Sequence, residues 1–375
     1  MSIVPGIEYI ESDKKRYLIY TGNFQQIWTE LVNTKYTFLE MDNPIVVIDG
    51  SFEGNTLSKG LTQLSEDLVG NEYKAFFKIH TLLNKYHKDK TVLVYGDANI
   101  EKNYVNWCKV VKQRRVFGKC IYRPNTLLQR SLVHHNLTQT KPNLSFKNKH
   151  FICLNAVARY HKEKMVNLLY ENDWQLKGYI SWLRRGSNPN EPVPHHPWAQ
   201  EILKLDFDGF NIDDNDNQLL CPPQYSDACF DIVNETSVSD NALFLTDKTW
   251  KPILQKTPFI IHGPKDSHKH LEEYFGIKPY TDLFDYKFDT VDYNERFASI
   301  KDDNLERLIN MDINELNEIV NSAKMQELLE YNKKQLLTHF IDKPKRLHLH
   351  GLSETETGEN LLTNPIIKSL ILLGY

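Results

Sequence analysis

Two short apolar runs, each closed by an acidic glycine turn, limit what this chain can become. Pro44-Ile-Val-Val-Ile-Asp-Gly50 and Lys90-Thr-Val-Leu-Val-Tyr-Gly96-Asp97 are too short for core helices and rich in β-branched residues, so they predict buried strands. Between them Phe76, Ile79, His80 and Leu83 recur at three- and four-residue spacing within a mostly helical region 57–86, and a helix is predicted over 104–111. His80 on that apolar face reads as a core histidine. An earlier strand is predicted over 16–22, with Asn23 as cap for a helix over 24–33. Strand, turn and helix in repeated order specify a parallel sheet covered by helices, a Rossmann-like α/β unit.

The pattern restarts further on. His150-Phe-Ile-Cys-Leu-Asn155, Gly178-Tyr-Ile-Ser-Trp182, Cys229-Phe-Asp-Ile-Val233 and Thr257-Pro-Phe-Ile-Ile-His262 read as strands, and Met165, Leu168 and Leu169 mark a helix after His161. Thr140-Lys-Pro-Asn-Leu-Ser145 has the composition of a linker. The expected organisation is therefore α/β with two Rossmann-like domains, 1–145 and 146–350, followed by a C-terminal helix within 351–375 that packs back on the first. With 375 residues, 41% of them hydrophobic, the chain can build both cores.

A net charge of −4 lacks the overall basic footprint of nucleic-acid proteins and leaves only local basic faces. One is Arg114-Arg-Val-Phe-Gly-Lys-Cys-Ile-Tyr-Arg123, in which Arg114, Arg115 and Lys119 are candidates for phosphate contact. The five cysteines show no metal-ligand spacing. With no signal peptide in the opening residues and no membrane-spanning run, they predict reduced thiols in a cytoplasm and no membrane partner. His195-His196 sit among prolines without a third ligand, so no metal is expected.

The chemistry concentrates at predicted strand ends. After Glu235, a helix begins near Thr246-Asp-Lys-Thr-Trp-Lys251, where Thr246 can cap and Asp247 suits the first turn. Lys248 and Lys251 put cations where the helix dipole is already positive, which predicts a bound anion such as the diphosphate of a nucleotide-sugar. Pro252, tolerated best in a first turn, moves the expected start toward Thr249. Asn155, Arg159 and the helix behind them repeat the arrangement, and Ser181 ends a neighbouring strand. In the first domain, the acidic turns offer Asp49, Glu53 and Asp97 as candidate bases. Residues 282–293, with alternating aromatics, read as a pocket lining or a partly buried strand.

Glu235, then Phe244-Leu-Thr-Asp-Lys248, then an apolar helix and Pro258-Phe-Ile-Ile-His-Gly263, resembles the donor-binding motif of α1,3-fucosyltransferase-like enzymes of GT-B fold. This chain has Asp247 where that family usually has Glu. A likeness over much of the chain is to proteins of large tailed phages that carry the same Thr-Glu/Asp-Lys-Thr-x-Lys-Pro segment. Some of these look like glycosyltransferases acting on hydroxymethylated bases of phage DNA.

The resemblance implies two domains facing across a cleft, with a UDP- or GDP-linked sugar held by the second domain and no cofactor. Lys248, Arg159 and the helix start would hold the diphosphate, in place of a metal, and Glu235 the sugar or ribose hydroxyls. Asp49 or Asp97, with Glu53, would deprotonate the acceptor for inverting attack. The implied acceptor is 5-hydroxymethylcytosine in double-stranded DNA, turned out of the stack, in a host cytoplasm. Two alternatives stay open: a glycan or lipopolysaccharide glycosyltransferase, and a non-catalytic nucleotide- or DNA-binding phage protein.

Overall fold

The structure, a computed structural model, describes residues 6–12, 15–33, 45–50, 57, 61, 71–86, 90–122, 146–183, 198, 203, 205 and 221–339. It is an α/β protein with two sheets. The first runs β1 (Gly6–Ser12), β2 (Lys15–Thr21), β3 (Ile45–Asp49), β4 (Thr91–Tyr95), β5 (Lys119–Tyr122), with β1 antiparallel to β2 and the other four parallel. The second contains β6 (Lys149–Cys153), β7 (Gly178–Ile180), β8 (Ala228–Asn234) and β9 (Phe259–His262), all parallel in the order β7-β6-β8-β9.

The described residues fall into two compact units. One reaches residue 122 and takes in Asn241–Phe244; the other holds 146–240 and 245–339. The return of Asn241–Phe244 to the first unit has no signal in the sequence reading. The boundary expected near 145, Glu53 and the C-terminal helix within 351–375 lie outside the described residues.

In the first unit, β3 and β4 are buried at every residue, as strands covered on both faces must be. Helices α1 (Phe24–Asn33), α2 (Asn71–Tyr86) and α3 (Ile100–Val110) contribute the core around Phe76, Tyr104 and Trp107. Asn23 starts α1 with a reciprocal cap: its Oδ1 accepts from Gln26 N–H at 2.8 Å, and Gln26 Oε1 accepts from Asn23 N–H at 3.1 Å. His80 is a core residue, as its spacing predicts. Its Nε2 lies 3.1 Å from the Tyr104 hydroxyl, and burial lowers its pKa to about 4, so it stays neutral.

The second unit is built on β8, buried at all seven residues. Gly178 lets the Phe151 ring lie against β7, because a Cβ there would sit 2.3 Å from it. Helices α4 (Tyr160–Glu171) and α5 (Asp247–Gln255) follow β6 and β8. Helix Ile313–Val320 packs on β6 and β8, and Ala323–Leu337 packs on α5. Residues 282–293 are not a strand. The Asp285 carboxylate accepts the Lys287 N–H, which turns the chain into the helical turn Lys287–Thr290 and then the helix Tyr293–Ser299. Among the described residues no helix is long and apolar enough to cross a membrane, and the five cysteines are buried and free.

Candidate functional site

Parallel strands bring their carboxyl ends to one edge, and in the second sheet that edge is polar. Asn155 lies beyond the end of β6, Ser181 follows β7, Asn234 ends β8 and Glu235 follows it, and His262 ends β9. The Asn155 N–H donates to Ser181 Oγ at 2.9 Å, Asn234 Nδ2 donates to Asn155 Oδ1 at 3.0 Å, and Asn234 Oδ1 lies 2.7 Å from His262 Nδ1. Asn155 and Ser181, read as donor-binding residues, are buried and hold the strand ends in register.

Glu235 organises the edge. Its carboxylate accepts from Thr246 N–H (2.9 Å), Thr246 Oγ1 (2.7 Å), Thr249 Oγ1 (2.6 Å) and Thr236 N–H (2.9 Å). A carboxylate has about four lone-pair positions, so protein donors occupy this one. It fixes the start of α5, where the resemblance expects it to hold sugar hydroxyls. Gly263 permits this, since a Cβ there would meet Glu235 Cβ at 3.1 Å and Ile261 Cγ2 at 2.6 Å. That close approach is the physical reason for glycine at the end of the motif.

Helix α5 begins at Asp247, not near Thr249, and carries Pro252 inside it. Thr246 is the N-cap residue but makes no side-chain cap, because its hydroxyl is turned to Glu235. The backbone N–H groups of Asp247 and Lys248 have no hydrogen-bond partner among the described residues. Asp247 pairs with Lys251 at 3.1 Å and Lys248 at 3.5 Å. Burial acts to raise its pKa, but the adjacent Lys248, Lys251 and Lys162 bring it down to about 2. Lys248 Nζ also lies 3.3 Å from Thr246 Oγ1.

A second helix start meets the first. Arg159 is the N-cap residue of α4, and its guanidinium donates to the Thr236 carbonyl at 2.7 Å. In the first turn, His161 Nε2 lies 2.8 Å from the Glu235 carbonyl oxygen. Lys162, one residue on, is 1% exposed. Its charge is felt by Lys248, Arg159, Glu235 and Asp247. Burial, then Lys248 and Arg159, push its pKa well below the usual lysine range. The loop 236–240 beside it is braced by buried Arg296, which donates to the Val238 carbonyl at 2.9 Å and to Asp240 Oδ1 at 2.8 Å.

One buried acid lies deeper on β8. Asp231 accepts from the Tyr225 hydroxyl at 2.8 Å, and burial pushes its carboxyl up to about 8.

In the first unit the candidate bases differ. Asp97 Oδ1 accepts from the backbone N–H of Asn99 and of Leu243, each at 2.8 Å, and Oδ2 accepts from Asn103 Nδ2 at 3.1 Å. Its carboxylate anchors Asn241–Phe244. Asp49 is buried at the end of β3. Of the basic candidates, Arg115 is occupied by Glu101 at 2.6 Å and the Phe117 and Gly118 carbonyls. Arg114 is exposed, and Lys119 opens β5 half-buried.

Of the residues singled out in the sequence, the fold gathers Arg159, Glu235, Thr246, Asp247, Lys248 and Lys251 at one sheet edge, and Lys162, not singled out there, lies in the first turn of α4 beside Arg159. Its signal was present: a lysine in the first turn of a helix, the feature that singled out Lys248. Among the described residues no group of three or more His, Cys, Asp or Glu is placed to hold a metal. Comparison with family models, with curated proteins and with solved structures finds no match for the chain, so the site rests on its own geometry.

Proposed function

We propose that the protein is a nucleotide-sugar-dependent glycosyltransferase, with the donor diphosphate at the meeting point of α4 and α5. The observation that carries this reading is the crowding of Arg159, Lys162, Lys248 and Lys251 around two helix starts, while the carboxylates nearby are already engaged by protein donors or lysines. Such a site carries more cationic groups than carboxylates, and a helix N-terminus with lysines suits a phosphate or diphosphate best. As the bond to the sugar breaks, charge develops on the leaving diphosphate, where fixed cations and backbone N–H groups stabilise it.

The GT-B type of fold and inverting attack belong to the same proposal, supported by the motif resemblance; the two α/β sheets are compatible with it. Asp49, at the carboxyl end of β3, and Asp97 are the candidate acceptor bases of this proposal. The phage resemblance makes 5-hydroxymethylcytosine in DNA the first acceptor to test.

The test is mass spectrometry of nucleosides from hydroxymethylcytosine-containing DNA incubated with the protein and a panel of UDP-, GDP- and ADP-sugars. A pentose or hexose addition is expected. Slow release of nucleotide without addition to DNA would move the acceptor to a glycan, and neither signal, with no sugar bound, would overturn the reading.

A further inference from the structure

At the end of β9, His262 Nε2, the Tyr293 hydroxyl and Arg296 Nε are buried without a hydrogen-bond partner among the described residues. They lie around one ring. Tyr293 stacks on His262 with centroids 5.9 Å apart and planes 23° apart, and the Arg296 guanidinium carbon is 6.0 Å from the Tyr293 centroid. Unmatched buried polar groups are costly, so their gathering in one place points to a partner from outside the chain. The strand ends fix what each can offer. Asn155 Oδ1 accepts from Asn234 Nδ2 at 3.0 Å, which turns Asn234 Oδ1 to His262 Nδ1 at 2.7 Å. An amide oxygen can only accept, so Nδ1 carries the ring proton and Nε2 presents a lone pair. Arg296 has the opposite character. Its terminal nitrogens are used on the Val291 and Val238 carbonyls and Asp240 Oδ1, and Nε keeps one N–H to donate. The Tyr293 hydroxyl can do either.

The cluster adjoins the two helix starts. His161, in the first turn of α4, touches both: its Nε2 lies 2.8 Å from the Glu235 carbonyl oxygen, and its ring is 5.8 Å from that of His262. The Glu235 N–H donates to the His262 carbonyl at 3.0 Å, and Arg296 and Arg159 hold one loop, at Val238 and Thr236. Tyr293 is half-buried, so the cluster reaches solvent along that side chain. A phosphate, which only accepts, has nothing to give His262 Nε2. Neighbouring hydroxyls donate and accept together, and on a saturated ring they reach two stacked layers better than the flat edge of a base does. Glu235, to which the resemblance gives the sugar or ribose hydroxyls, is taken by four protein donors. We propose that His262, Tyr293 and Arg296 form the hydroxyl subsite of the donor site: one of two vicinal hydroxyls on a ring joined to the diphosphate donates to His262 Nε2, the other accepts from Arg296 Nε, and the Tyr293 hydroxyl bonds to the pair. This rests on the donor-site reading above and deepens it. Ribose and the transferred sugar share this chemistry.

The test is calorimetric titration of the full chain, wild type and Tyr293→Phe, with inorganic pyrophosphate, UDP and GDP, their 2′-deoxy and 3′-deoxy forms, and UDP- and GDP-sugars. Tyr293→Phe keeps the stacked ring and loses no protein hydrogen bond from the hydroxyl, so its thermal midpoint should hold or rise. Affinity for the preferred nucleotide should fall by about three- to tenfold, while pyrophosphate binds both proteins alike. The deoxy form that lacks the bound hydroxyl should bind the wild type more weakly and be indifferent to the substitution, as a coupled pair requires. A fall confined to the sugar-nucleotides would assign the subsite to the transferred sugar and uphold it. Nucleotides and sugar-nucleotides bound equally by both proteins, or a fall of the same size for pyrophosphate, would overturn the subsite and leave the donor site standing. If the wild type binds none of these ligands, the donor-site reading itself fails, and the subsite with it.

Discussion

The Thr249 hydroxyl donates to Glu235 Oε1 at 2.6 Å, tying the third residue of α5 to the residue that follows β8. Together with both donors of Thr246, this bond sets where the helix begins and which way its first N–H groups face. Glu235→Gln removes the charge and one acceptor oxygen, and points an NH2 group at the same donors. It should cost about 2–3 kcal/mol of stability, read from the urea midpoint, and weaken nucleotide-sugar binding in parallel. A variant of wild-type stability that lost only sugar affinity would show that Glu235 contacts the ligand after all.

Gly263 acts on the same carboxylate from behind. In Gly263→Ala the new methyl would sit 3.1 Å from Glu235 Cβ and 2.6 Å from Ile261 Cγ2. The expected result is a loss of about 1–3 kcal/mol with a displaced α5 start, checked by denaturant unfolding and by nucleotide-sugar titration. Unchanged values in both would mean that β9 yields without moving Glu235.

Lys248 has a narrower task. It lies beside Asp247 and Thr246 and is not part of the apolar packing of α5, so Lys248→Ala should fold normally. Affinity for the nucleotide-sugar donor should fall by about tenfold or more, the range of one charge-assisted hydrogen bond. Unaltered affinity would remove this lysine from the anion site.

Asp231 makes stability depend on pH. Its folded pKa, about 8, is above the ordinary 3.8, so the fold favours the protonated acid. The associated stability is complete below the ordinary value and is lost as pH rises through about 8, amounting to a few kcal/mol in total. Asp231→Asn keeps the shape without the charge. Its thermal midpoint should overtake that of the wild type toward alkaline pH, with the gap closing in acid; a gap independent of pH would contradict the assignment.

The two candidate bases should separate cleanly. Asp97→Asn should cost about 1–3 kcal/mol and expose Asn241–Phe244 to proteolysis, since Leu243 N–H loses a charged acceptor. Asp49→Asn should lower turnover of any confirmed acceptor. Full turnover in Asp49→Asn would place the base elsewhere.

The strands that carry the site were legible because β3, β4, β8 and β9 are buried at every residue and so appear as short, mostly apolar runs. β5 was not, because Arg114, Arg115 and Lys119 crowd its approach and only Cys120 within it is buried. Lys248 was legible as a cation at a helix start. Lys162 is not legible in this way, since only the fold shows that this lysine of a helix's first turn is buried. The aromatic alternation of 282–293 misled for a local reason: Phe284 and Phe288 are four residues apart and both buried, which suits helical turns as well as a pleat.

Asn241–Phe244 belongs to the first unit although both flanks belong to the second, so a single cut in the chain cannot separate the two. During synthesis, Asp97 waits for the Leu243 N–H until after β6, β7 and β8 have left the ribosome. The amino-terminal half therefore completes its own hydrogen bonding late, and an isolated 1–145 fragment would carry a buried carboxylate short of one of its donors.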